Sequence, residues 1–387
     1  MSVAAPVSGR VAASDRFFTA EADRLARLCH AMAERFARDG RLIALGSSAA
    51  ERSDVRHVAV EFVHPVIVGK RALPAIGLAG DGGALAALAR AEDIVIAFGA
   101  DDGLTGALAL ARERGCLTIA FAGVGAEWEF DVGVADVDIA QEIVETLYHV
   151  LWELVHVFFE HRGLLAGRTA RPGHDSGASA FLYPFLDERE SDLERVVEDV
   201  RRSILMKAAE TSALREQTLV ENADVLDAAA ATVRAGLRSD GTLLALGNGG
   251  SATDAMDVVA DIRARGWPAL DFTEDPAILT AIANDVGPEA MFSRQVIAYA
   301  RPGDVLLALS TSGGSRNVIA ALEEGRRRGM ATIAFVGYDG GRILAEGLAD
   351  HVIVSRSQHI PRIQEAQASA YHVLRELVGA RSARAGR

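Results

Sequence analysis

Cysteine is nearly absent from this chain. Cys29 and Cys116 are the two in 387 residues and they form no CxxC, so neither a disulfide framework nor a thiolate metal site is encoded. Half of the residues are hydrophobic, yet no apolar run approaches the ~20 residues of a membrane span. The opening segment MSVAAPVSGRVAASDRFF has no apolar core of the signal-peptide kind, and a frayed tail is expected there. Positive charge is in deficit: 40 Lys and Arg stand against 53 Asp and Glu, a net −13. General nucleic-acid binding needs a basic surface and is excluded on that count. The expectation is a cytoplasmic protein with neither membrane nor nucleic acid as partner. Its length implies two or three domains.

What is present is one pattern written twice. RDGRLIALG (38–46) and SDGTLLALG (239–247) share an Asp-Gly helix stop, an apolar run and a glycine. Each follows a helical segment, 14–38 and 219–238, and precedes a small-residue turn and a helix carrying an Asp, Asp54 or Asp254. AEDIVIAFG (91–99) answers PGDVLLALS (302–310), and RERGCLTIAFAG (112–123) answers RRRGMATIAFVG (326–337). Closing helices are expected at 140–159 and 363–378. Alternating apolar strands and helices imply an α/β fold of doubly wound, mostly parallel sheets. We therefore expect two fused copies: residues 1–162, a linker at 163–186 rich in Gly, Ala and Ser, and residues 187–387.

The most informative stretch is DVLLALSTSGGSRN (304–317). A buried-strand run leads into Ser310, Thr311, Ser312, Gly313, Gly314 and Ser315, and then an amphipathic helix. Backbone N–H groups, hydroxyls and the positive end of a helix dipole are thereby gathered at one point, which suits a phosphate. A serine-rich turn also serves simply to cap a helix.

The second half resembles the sugar isomerase (SIS) domain, and within it the sedoheptulose 7-phosphate (phosphoheptose) isomerases. The resemblance is carried by GNGGSATDAMDVVADI (247–262), LTAIANDVG (279–287), FSRQV (292–296), RPGDVLLALSTSGGSRNVIAAL (301–322) and RIQEAQASAYHVL (362–374). The first half resembles the same family more distantly. The resemblance implies that Asn248, Gly249, Gly250 and Ser251 contact the sugar phosphate, that Asn284 and Asp285 reach the sugar chain, and that Ser310, Thr311, Ser312 and Ser315 hold the phosphate. It also implies zinc, or another divalent metal, bound by a His and a Glu one turn apart plus a Gln and a His eight apart. The Glu and the last His serve as the acid–base pair.

The two halves depart from this pattern in complementary ways. The first keeps His57, Glu61, Gln141 and His149, the implied metal set; the second has Asp257 and Asp261 with Gln364 and His372. The second keeps the phosphate turn; in the first, Gly99-Ala100-Asp101-Asp102-Gly103 stands there, with carboxylates that repel a phosphate. Composite sites, with phosphate held by Ser310–Ser315 and metal by one ligand set, are the expectation. The i,i+4 spacing puts His57 and Glu61 on one helix face. Eight residues span about 12 Å of helix, so either Gln141 sits where the start of its helix bends toward the site, or Gln141 and His149 serve different sites.

The implied reaction is an aldose–ketose isomerisation through an enediol, with Glu61 and His149, or Asp261 and His372, trading protons. The substrate would be sedoheptulose 7-phosphate and the product a heptose 7-phosphate. Two alternatives stay open: a non-catalytic sugar-phosphate regulator or assembly protein, and an isomerase of another phosphosugar. A homo-oligomer is expected, a dimer forming a pseudo-tetramer.

Overall fold

The computed structural model describes residues 4–67, 70–80, 82–160, 164–165 and 192–380. It divides into two compact units, Ala12–Glu210 and Thr211–Arg387 with Met1–Val11, here the N-terminal and C-terminal units. Apart from Leu164 and Leu165, the linker expected at 163–186 lies outside the described residues, as do residues 187–191.

The chain runs α1 (Ala4–Ala37), β1 (Leu42–Gly46), α2 (Ala49–Val63), β2 (Ala75–Ala79), α3 (Gly82–Leu88), β3 (Ile94–Phe98), α4 (Asp102–Glu113), β4 (Leu117–Ala120), β5 (Trp128–Glu129) and α5 (Val137–Glu160). It continues with α6 (Leu193–Glu221), α7 (Ala223–Arg238), β6 (Leu243–Leu246), α8 (Gly250–Ala264), β7 (Ala269–Asp271), α9 (Pro276–Asp285) and α10 (Met291–Tyr299). Last come β8 (Val305–Ser310), α11 (Arg316–Arg327), β9 (Ala331–Gly337), α12 (Gly341–Ala345), β10 (His351–Ser355) and α13 (Ile360–Ala380). The sheets are ordered β2-β1-β3-β4-β5 and β10-β9-β8-β6-β7, five strands each, and every strand pairing is parallel. Read from the other edge, the second order repeats the first.

Period-two packing explains why the strands are unbroken apolar runs. In β1, Leu42 and Ala44 enter one core while Ile43 and Leu45 enter another. In β6, Leu243 and Ala245 face one core and Leu244 and Leu246 the other. A sheet covered on both faces leaves no polar side, hence no alternation in the sequence.

The Asp-Gly stops do the same work twice. Asp39 and Asp240 adopt φ of 64° and 60°, and the following glycine N–H groups bond back to Arg35 O and Gly236 O. A Cβ on Gly40 would lie 2.1 Å from Glu92 O, and one on Gly241 2.6 Å from Gly303 O, so only glycine fits. Buried Asp93 and Asp304 then tie each central strand to its neighbour. Asp93 accepts from Arg41 N and Arg90 N, and Asp304 from Thr242 N and Arg301 N.

Two expectations are corrected. The opening segment is not a frayed tail: α1 begins at Ala4, Val7 joins a C-terminal core, and buried Arg10 pairs with Glu376 at 2.7 Å. The helix expected over 219–238 breaks at Asn222. Its amide donates to Val354 O and accepts from Val354 N, both at 3.0 Å, stitching the free edge of β10 in place of continuing the helix.

Candidate functional site

Both sheets reverse strand order beside their first strand, between β6 and β8 in the C-terminal unit and between β1 and β3 in the N-terminal one. Ligands of open α/β sheets bind outside the carboxyl ends of the strands at such a switch point. In the C-terminal unit, Asn248–Ser251 follows β6 and Ser310–Ser315 follows β8, so the topology brings together the two turns expected to hold the phosphate.

The geometry of that crevice suits an anion. Neither Gly249, N-cap of α8, nor Ser315, N-cap of α11, makes a side-chain cap bond; in the first turn of α11, Val318 N donates to Asn317 Oδ1 at 3.0 Å. Gly249 has φ 58° with nothing within 4 Å of where a Cβ would stand. The turn is fixed from behind: Gly337 N donates to Thr311 O at 2.9 Å, and a Cβ on Gly313, φ 59°, would meet Gly340 O at 2.3 Å. Ser310 is buried and its Oγ donates to Ser315 Oγ at 3.3 Å; Ser312 is exposed and its Oγ accepts from Gly314 N at 3.2 Å. Asn248 and Asn317 exchange hydrogen bonds of 3.0 and 2.8 Å across the two turns. Ser251 is buried in the first turn of α8. Asn284 and Asp285, at the end of α9, are exposed and bond each other at 2.7 Å; neither bonds to the Ser310–Ser315 turn.

The corresponding crevice of the N-terminal unit is filled by its own carboxylates. Ser48 caps α2 in a capping box with Glu51, and Glu51 Oε2 accepts from Ser47 N at 2.8 Å, Ser48 N at 2.9 Å and Ser47 Oγ at 3.2 Å. Asp101 caps α4 through Leu104 N at 3.0 Å and also takes the Ser47 hydroxyl. Those bonds, Ser47 first, hold the Asp101 carboxyl below its usual range. The donors a phosphate would use are already taken, and by negative groups. Asp101 was legible in the sequence; Glu51 was missed, although Ser48-x-x-Glu51 is the signature of a capping box.

The implied metal set lies deeper, where α2 faces α5. His57 Nε2 stands 3.3 Å from His149 Nε2 and 3.9 Å from Glu61 Oε1. Ligand atoms of these three buried residues all lie within 4.8 Å of one another. Burial, then His149, pushes the His57 imidazolium well below its ordinary pKa, leaving the neutral ring a metal requires. Gln141 does not bend toward them; its Nε2 donates to Asp54 Oδ1 at 3.1 Å, while its Oε1 is buried with no hydrogen-bond partner among the described residues. Two imidazoles about 3.3 Å apart match neighbouring ligands of a tetrahedral ion with bonds of ~2.0–2.1 Å. These residues fit a divalent metal of zinc type.

The second set is built differently. His372 Nε2 lies 3.3 Å from Asp257 Oδ2, but Asp261 is paired with Arg375. Gln364 is buried in α13. Among the described residues, Asp257, Asp261 and His372 form no metal-holding group. Of the expected pair, His372 thus stands against Asp257, and Asp261 against Arg375.

Two doubly wound units, each with a turn of small residues after its first strand at the switch point, define the class, and the comparisons agree. The SIS domain model matches residues 208–337. Solved structures with the same fold include the tagatose-6-phosphate ketose/aldose isomerase of Escherichia coli, TM-score 0.53, 12% identical, covering 100% of this chain and 94% of that one. Another is the C-terminal domain of glucosamine-fructose-6-phosphate aminotransferase from Francisella tularensis, TM-score 0.56, 9% identical, covering 96% and 95%. The phosphoheptose isomerase of Thermodesulfovibrio yellowstonii is 39% identical over 181 residues, 45% of this chain and 89% of that protein. That of Chlorobium phaeobacteroides is 41% identical over 212 residues, 52% and 88%. The chain belongs to the phosphoheptose isomerase family, and with it to the sugar-phosphate isomerases.

Proposed function

We propose that the chain converts sedoheptulose 7-phosphate to a heptose 7-phosphate through an enediol. The observation that carries this reading is the C-terminal crevice, where two helix N-termini without side-chain caps and a hydroxyl turn meet at a switch point. Backbone N–H groups and the Ser310, Thr311, Ser312 and Ser315 hydroxyls hold the phosphate, and Asn248, Ser251, Asn284, Asp285 and Gln364 are assigned to the rest of the sugar.

Asp257 lies seven residues beyond Gly250 on α8, about 10 Å along the axis, comparable with the reach of a seven-carbon chain from its phosphate. We assign proton transfer to a carboxylate and an imidazole there, Asp257 and His372. The carboxylate takes the proton from C1 and returns it to C2; the imidazole carries the hydroxyl proton from O1 to O2. Protons balance and nothing is oxidised overall. Glu61 and His149 are the corresponding pair of the N-terminal unit. His57, Glu61 and His149 would hold a divalent ion, zinc first among candidates. Such an ion polarises a carbonyl oxygen. A homo-dimer forming a pseudo-tetramer and a cytoplasmic location accompany this reading.

The test is incubation with sedoheptulose 7-phosphate, with and without zinc, following aldose formation by NMR. Turnover lost in Ser312→Trp and in His372→Ala is expected; turnover surviving both refutes the assignment. Asp261 bound to Arg375 favours one second reading, a non-catalytic sugar-phosphate binder, for which tight binding without turnover is the expected result.

A further inference from the structure

The two copies differ at a position that the metal pattern does not include. Three residues beyond His149 lies Trp152, fully buried; three beyond His372 lies Arg375, only 7% exposed. The change comes with another, since the carboxylate four residues along the partner helix is Glu61 in the first copy and Asp261 in the second. Arg375 pairs with Asp261, while Glu61 lies against His57.

A guanidinium stays protonated at any working pH. Arg375 is buried and lines a small cavity with Val258, Ile262, Leu374 and Val378, and a charge held in such a wall requires an opposite charge. Asp261 supplies it. The pairing has two consequences for the group formed by Asp257, Asp261 and His372. One of its carboxylates is already neutralised, and a fixed positive charge stands beside the remaining Asp257–His372 pair. A divalent cation brought there meets repulsion from that guanidinium, where the first copy places the uncharged Trp152.

We infer that Arg375 is a built-in cation that takes the place of a metal in the C-terminal unit, so that the chain binds one divalent ion and binds it in the N-terminal unit. The count of one rests on the metal reading of His57, Glu61 and His149; the role of Arg375 does not. The shortened Asp261 is then matched to Arg375, and the carboxylate–imidazole pair Asp257–His372 works without a Lewis acid of its own.

The experiment is a titration with Co²⁺, read by its d–d absorption and by elemental analysis after desalting. Wild-type protein should take up one equivalent, and His57→Ala none. Adding Arg375→Met to His57→Ala frees Asp261 beside Asp257 and His372, and should restore about one equivalent; Arg375→Lys in the same background should not. Near-UV circular dichroism confirms folding of each variant. A second wild-type equivalent that disappears in Asp257→Ala would overturn the inference, and this arm needs no arginine variant. So would a folded His57→Ala/Arg375→Met protein that binds no cobalt. Wild-type protein without any bound metal would instead remove the N-terminal metal reading, while the arginine arm still decides the role of Arg375.

Discussion

Glu51 offers the sharpest test of how the N-terminal crevice is closed. Its carboxylate accepts from Ser47 N, Ser48 N and Ser47 Oγ, which makes it one half of a capping box and an anion at the start of α2. Loss of a cap costs about 0.5–2 kcal/mol, and loss of the charge at the dipole a further ~0.3–1. Water reaches the partly exposed turn and replaces some of these bonds, so Glu51→Ala should destabilise the turn by about 1–2 kcal/mol. Glu51→Gln keeps an acceptor oxygen and should lose about half as much. Local opening of that size raises amide exchange at Ser47 and Ser48 roughly 5- to 30-fold, measurable by hydrogen-exchange NMR or mass spectrometry. Unchanged protection at both amides in Glu51→Ala refutes the argument that this carboxylate occupies the anion position.

Isothermal titration with a non-isomerisable sugar phosphate should saturate at one equivalent per chain, with binding lost in Ser312→Trp and retained in Asp101→Asn. Asp304→Ala leaves Thr242 N and Arg301 N without their acceptor, and should lower unfolding stability by about 2–4 kcal/mol in denaturant titrations. His57 is neutral when folded, because of burial and then His149, whereas an unfolded imidazole protonates near ~6.5. The unfolded state therefore binds the extra proton below that value. Stability of metal-free protein should fall as pH drops through about 6.5 and stay level above it, and His57→Phe should flatten the slope.

Much of the architecture was legible because the two copies punctuate themselves alike. Asp39-Gly40 and Asp240-Gly241 mark helix ends that only glycine can complete, and the runs after them are apolar because both sheet faces are covered. The i,i+4 spacing of His57 and Glu61 similarly announced a shared helix face. The break at Asn222 was not legible, because its cause is the edge of β10 more than a hundred residues later. Arg375 was equally hidden: an arginine on a closing helix reads as a solvated charge until the fold sets it against Asp261. The spacing of Gln141 and His149 left two possibilities, and the partner the Gln141 amide takes, Asp54 at 3.1 Å, comes from another helix that the spacing cannot reveal.

The reciprocal amide contact between Asn248 and Asn317 bears on selectivity. Each carboxamide gives the other one bond, and neither carries charge. Swapping amide–amide bonds for amide–hydroxyl bonds is close to energetically neutral. On the proposed reading, the pair would therefore part at little net cost for a guest that offers hydroxyls in exchange.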